Sequence, residues 1–156
     1  MQATKAWCEK KFHYRFKDDI LLQTALTHRS HSVNNNERLE FLGDAVLDLV
    51  ISELLYQFYS EQTEGSLSRM RSNLVKGDTL AALAKELDLG DYLILGKGEK
   101  TSGGRERISL LSDALEAIIG AIFLDGGYVA AKNVIIKIFD SRIQALDVKS
   151  DHKDHK

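Results

Sequence analysis

Apolar residues recur along most of this chain at steps of three and four, the period of a helix with one buried stripe. The pattern predicts a short first helix over residues 4–12, a second over 17–28 and a long third over 37–59. A basic helix over 67–76 follows, with Ser66 as its cap, then one over 79–87, an apolar helix over 108–124 and a last one over 128–146. Asp18 and Asp19 suit the dipole of the second helix's first turn, and Asn34, Asn35 and Asn36 offer capping side chains before the third. There are no prolines and few β-branched runs, so the expected fold class is all-α. Residues 89–95 are short and ambiguous. Residues 96–107, Gly-Lys-Gly-Glu-Lys-Thr-Ser-Gly-Gly-Arg-Glu-Arg, have little to bury and read as a mobile charged loop.

Two of these helices are not simply amphipathic. Residues 37–50 are apolar nearly all the way round, which predicts a helix buried on every side. Yet Glu37, Glu40, Asp44 and Asp48 fall within roughly 80° of one another on the helical wheel. The helix over 108–124 is also apolar and also carries acids at helical spacing, Asp113 and Glu116. Packed together, the two would gather four or five carboxylates in one pocket. So many negative charges need protonation or a cation. Oxygen donors without Cys or His beside them suit Mg²⁺, with Mn²⁺ able to substitute. Two such ions about 4 Å apart activate water and stabilise a leaving oxygen in phosphodiester cleavage. The competing reading pairs these acids with Arg38, Arg69 or Arg71. Glu37 also fits a simple first-turn acid.

Composition narrows this only slightly. A chain of 156 residues reads as one domain. The net charge of −2 argues mildly against a nucleic-acid partner, unless the acids are concentrated in one metal site. No apolar run is long enough for a membrane helix, and residues 1–10 lack the apolar core of a signal peptide, so no membrane association and a cytoplasmic location are expected. The single Cys8 excludes an intramolecular disulfide framework.

The stretch Asn36-Glu-Arg-Leu-Glu-Phe-Leu-Gly-Asp44 strongly resembles the signature of the ribonuclease III endonuclease domain, bacterial type. The resemblance extends through Leu26-Thr-His-Arg-Ser30, Glu64-Gly-Ser-Leu-Ser-Arg-Met-Arg71, Leu74-Val-Lys-Gly77 and Ser112-Asp-Ala-Leu-Glu-Ala117. It covers about residues 5–146 in family-like order. It implies an Mg²⁺-dependent endonuclease on double-stranded RNA that leaves 5′-phosphate and 3′-hydroxyl ends with short 3′ overhangs and serves rRNA and mRNA processing. By motif position, Glu40, Asp44, Asp113 and Glu116 match the metal-binding acids, with Asp44 and Glu116 the catalytic pair. Glu37, Glu64 and Glu99 match supporting acids of the cleavage valley. Phe41 matches the aromatic that enters a pocket on the partner subunit, which implies a homodimer; a core position is the alternative for it.

RNA contacts are expected through phosphates and 2′-hydroxyls, because A-form grooves hide base edges. Candidates are His28, Arg29, Lys97, Lys100, Arg105 and Arg107, each of which also reads as a plain surface charge. Two departures from the family pattern stand out. Ile108 occupies a position where many relatives carry an acid. Residues 147–156 resemble a linker toward a double-stranded-RNA-binding domain that this chain lacks, so residues 1–146 form the expected nuclease domain. The pairing of Glu37-x-x-Glu40 with Asp113-x-x-Glu116 also looks like the carboxylate pattern of all-α nucleoside-triphosphate pyrophosphatases, and a non-catalytic RNA-binding domain on the same fold is a third reading.

Overall fold

Helical periodicity becomes helix almost everywhere in the computed structural model, which describes the backbone of residues 1–154 and the side chains of residues 1–146. The helices are α1 (Gln2–Phe12), α2 (Asp19–Leu26), α3 (Glu37–Phe58), α4 (Glu64–Val75), α5 (Gly77–Glu86), the short α6 (Lys97–Thr101) and the long α7 (Ile108–Asp154). Single 3-10 turns cover Leu89–Tyr92 and Gly104–Glu106. Among the described residues there is no strand, only one isolated parallel bridge between Thr27 and Ile94. The linker expected over residues 147–156 lies outside the described side chains, and its last two residues lie outside the described backbone.

Side-chain caps account for several boundaries that periodicity misplaced. The helix expected at residue 17 starts at Asp19, because the Asp18 carboxylate accepts from the Ile20 N–H and caps it. The basic helix begins at Glu64 rather than 67. Its cap is Thr63, whose hydroxyl accepts from the Ser66 N–H, and Ser66 is a buried residue inside the helix. Asp125-Gly126-Gly127 separates two helical stretches of α7, as expected, because Gly127 is non-helical. Its φ of 90° lies where only glycine sits without strain, and it kinks α7 there. Asp125 accepts from the Tyr14 hydroxyl at 2.5 Å and from the Lys17 and Asp18 N–H groups, tying the kink to the chain before α2.

The helix surrounded by protein is the first half of α7, not α3. Leu111, Ala114, Leu115, Ala117, Ile118, Ile119, Ala121 and Ile122 are all buried, and α7 packs against α1, α2, α3, α4 and α5. The expectation that residues 37–50 are buried on every side is corrected: Phe41 is 83% exposed and Leu49 58%, with Tyr56 further along at 75%. These positions lie on one stripe of α3, facing away from its single large neighbour, α7. Periodicity reports how much apolar surface a helix carries, not whether its own chain covers it.

Packing at the other end fixes α1. Trp7 stacks on Tyr92 with ring centroids 4.4 Å apart and donates its indole N–H to the Leu87 carbonyl at 2.7 Å. Cys8 is buried beneath, its thiol pushed up to about 12 chiefly by burial, so it is an inert packing residue.

Candidate metal centre

The site begins where α3 crosses α7. A Cβ placed on Gly43 would overlap the Glu116 carbonyl oxygen and lie 2.6 Å from its carbonyl carbon and 3.0 Å from the Gly120 nitrogen. A Cβ on Gly120 would in turn lie 3.0 Å from the Gly43 nitrogen and 3.3 Å from its Cα. The two backbones are therefore in direct contact, which only glycine at both positions permits. Glu40 and Asp44 flank Gly43 on one helix, while Asp113 and Glu116 precede Gly120 on the other, so close crossing converts two rows of acids into one cluster.

Glu40, Asp113 and Glu116 each offer an oxygen within 4.8 Å of the others. Asp44 joins through a hydrogen bond between its carboxyl and that of Glu116, and Glu40 is likewise bonded to Asp113. Carboxyls this close stay together only when one of each pair carries a proton or a cation lies between them. Burial, then the bond to and charge of Asp44, push Glu116 up to about 9. Burial, then the charge of and bond to Asp113, push Glu40 up to about 7. Asp113 is also raised, mainly by burial. Glu116 is the most buried acid of the cluster, at 8% exposed; Asp44 and Glu37 open to solvent. Glu40, Asp113 and Glu116, all raised, with Asp44 beside them, are the donor set of a hard divalent ion. Direct ion pairing with Arg71 does not account for them: Arg71 instead donates to the Ser52 hydroxyl at 2.9 Å and lies near Asp48, whose carboxyl burial raises and Arg71 opposes.

The remaining candidates divide. Glu37 is exposed and adds its charge to Glu40 and Asp113. Glu64 accepts from the Ser68 hydroxyl on α4 at 2.9 Å and is not among the clustered acids. Glu99 is ion-paired with Arg107 and packs against Gly104. The region expected as a mobile loop is thus folded on itself: Arg105 donates to the carbonyls of Leu93 at 2.8 Å and Gly90 at 3.0 Å, and Arg107 to that of Ser102 at 3.1 Å. Lys97 and Lys100 are exposed on α6. His28 is half-buried near Asp113 and Glu37, and burial lowers its pKa. Its Nδ1 accepts from the Ser30 N–H at 3.1 Å, so the neutral ring carries its proton on Nε2. Arg29 beside it is exposed. Ile108 is half-exposed at the start of α7 and disturbs nothing in the cluster.

Sequence reasoning did not single out Gly43, Gly120 or Asn36 for the site. The lone glycine inside each of two apolar helices was the available signal.

The fold and site together define an all-α domain that gathers carboxylates for a divalent cation across two crossing helices. A family model described as ribonuclease-III-like matches residues 18–142. Ribonuclease 3 of Hahella chejuensis is 51% identical over all of this chain and 69% of its own length, and that of Oleidesulfovibrio alaskensis is 56% identical over 83% of this chain and 59% of its own. Among solved structures, the nuclease domain of ribonuclease III from Campylobacter jejuni superposes with TM-score 0.84 at 47% identity, covering 86% of this chain and 95% of that one. That domain contains a structurally flexible region involved in dimer formation. Dicer from Pichia stipitis superposes with TM-score 0.67 at 30% identity, over 86% of this chain and 60% of that one. The chain belongs to the ribonuclease-III-like family. It spans 59–69% of the length of the curated relatives it matches.

Proposed function

We propose that this domain is a double-stranded-RNA endoribonuclease that works as a homodimer with Mg²⁺. The observation that carries the reading is the cluster of Glu40, Asp113 and Glu116 oxygens within 4.8 Å of one another at the α3–α7 crossing, in a chain of this family. Glu40, Asp113 and Glu116 hold the cation, with Asp44 completing the set from the solvent side; Asp44 and Glu116 are the catalytic pair. When bound, a pair of such ions favours ionised water and carries the charge of the leaving oxygen. Phosphodiester hydrolysis then yields 5′-phosphate and 3′-hydroxyl ends, and two sites in a dimer cut the two strands with short 3′ overhangs.

His28, Arg29, Lys97 and Lys100 supply donors to phosphates and 2′-hydroxyls, with Arg105 and Arg107 contributing from the folded segment after α6. The supporting acids Glu37, Glu64 and Glu99 line the same valley. The exposed stripe of Phe41, Leu49 and Tyr56 on α3 supports burial against a second copy, and large exposed apolar patches commonly mark such interfaces. A cytoplasmic protein that processes rRNA and mRNA fits the bacterial relatives. Among the described residues no helix is long and apolar enough to cross a membrane. The test is cleavage of a long RNA duplex with Mg²⁺ varied, alongside a mass measurement. A folded dimer that leaves the duplex intact at low salt with Mg²⁺ would sink the catalytic reading, and release of pyrophosphate from free nucleotides would replace it.

A further inference from the structure

Asn36 stands at the start of α3, in the position where an Asn side chain ordinarily accepts from its own helix's first N–H groups. It does not do so here. That acceptor is Asn35 Oδ1, which takes the Glu37 N–H at 3.0 Å. Asn36 is instead buried at 5% exposure, and its side-chain amide donates to the Ala25 carbonyl on α2 at 3.2 Å.

That carbonyl belongs to a complete set. The last four carbonyls of a helix have no partner within it. In α2 all four are met from outside the helical ladder. Gln23 accepts from the Thr27 hydroxyl at 2.7 Å and Thr24 from the Thr27 N–H at 3.1 Å. Ala25 accepts from Asn36, and Leu26 from the Ile94 N–H at 2.9 Å. Asn36 also donates its own N–H to the Thr27 carbonyl at 2.9 Å, while its carbonyl accepts the Glu40 N–H at 2.8 Å as the first bond of α3. One buried residue therefore ties the end of α2 to the turn that carries Glu37 and Glu40.

The position of this clasp matters for the acids. α3 is pinned to α7 at Gly43, seven residues on, or about 10 Å at 1.5 Å per residue. Glu37 and Glu40 lie between clasp and pin, whereas Asp44 lies beyond the pin, beside Glu116. Without the clasp the first two turns of α3 would pivot about Gly43, carrying Glu40 away from Asp113 and leaving Asp44 with Glu116.

We propose that Asn36 is a positioning residue for the metal centre, clasping α3 to the end of α2 so that Glu37 and Glu40 stay in register against Asp113. This rests on reading the acid cluster as a divalent-cation site. The experiment follows the MgCl₂ dependence of thermal stability and of duplex-RNA cleavage in the full chain, for the unsubstituted protein, Asn36→Ala and Trp7→Phe. Trp7→Phe removes a buried hydrogen bond far from the acids, so it controls for lost stability alone. In Asn36→Ala the Mg²⁺ midpoint for stabilisation should rise about tenfold, the usual effect of removing an outer support of a metal ligand, and saturating Mg²⁺ should restore most of the cleavage rate. Trp7→Phe should melt lower with its midpoint unchanged. Asn36→Ser keeps a helix-starting residue, lacks the reach to Ala25, and serves if the Ala variant does not fold.

An unchanged midpoint in a folded Asn36 variant, or an equal shift in Trp7→Phe, overturns the proposal. If Mg²⁺ fails to stabilise the unsubstituted protein, the proposal falls with the cation site. If Mg²⁺ stabilises it but no duplex is cut, the nuclease reading falls, and the midpoints still decide the role of Asn36.

Discussion

Gly43→Ala adds one methyl group at the point where α3 and α7 touch. The new Cβ would lie 2.6 Å from the Glu116 carbonyl carbon and on top of its oxygen. Ordinary carbon–carbon contact is about 3.5 Å, so the helices must part by roughly 1 Å. The obstacle is backbone and cannot rotate aside. Overpacking of this kind costs about 1–3 kcal/mol, and the upper end applies when no side chain can yield. Alanine returns about 1 kcal/mol of helix propensity. The net loss is about 2 kcal/mol, or roughly 4–8 °C in Tm for a domain of this size. Function should suffer more than stability, because the same movement widens a cluster whose three oxygens lie within 4.8 Å. A misplacement near 1 Å commonly lowers rate about 100-fold. Thermal melts and Mg²⁺-dependent duplex cleavage measure both. Gly77→Ala is the control, since a Cβ there meets nothing within 4 Å; its stability should stay within about 0.5 kcal/mol. A Gly43→Ala protein as stable as its parent and with the same Mg²⁺ midpoint would refute the close crossing as the basis of the site.

Glu116→Gln should abolish cleavage yet stabilise the metal-free chain. Folding raises this carboxyl from the ordinary value near 4.5 to about 9, so between those limits the folded state holds a proton that the unfolded state has released. Stability therefore falls as pH rises through that window, and Gln removes the effect, by about 1–3 kcal/mol at pH 7 and nothing below pH 4; melts that leave the variant no more stable than its parent at pH 8 contradict the buried acid. Phe41→Ala should leave the folding of a single copy within about 0.5 kcal/mol, since the ring is 83% exposed, and should weaken the dimer by about 100-fold if the ring is a buried anchor between copies; sedimentation at several concentrations decides. Arg105→Ala strips donors from the Gly90 and Leu93 carbonyls and should cost about 1–2 kcal/mol, visible as faster amide exchange after α5. Unchanged exchange with weakened RNA binding would instead make Arg105 an RNA contact.

The sequence alone determined the all-α class, the principal helices and the acids that meet. Each follows from local information: periodicity needs only neighbours along the chain, and clustered carboxylates on apolar helices demand a cation wherever they face. Tertiary structure decided what depends on partners far along the chain. It surrounded α7 rather than α3, because α7 touches five other helices while the stripe of Phe41, Leu49 and Tyr56 on α3 is left exposed. The segment over 96–107 folded because Arg105 finds carbonyls at Gly90 and Leu93, and Arg107 finds Glu99. Composition could not foresee those pairings. The acids divided by depth as well: Glu116 is buried, Asp44 is open, and Glu64 accepts from its own helix. The distance between the acidic rows was set by two glycines whose lack of a side chain allows backbone contact, a property expressed only when the two helices cross.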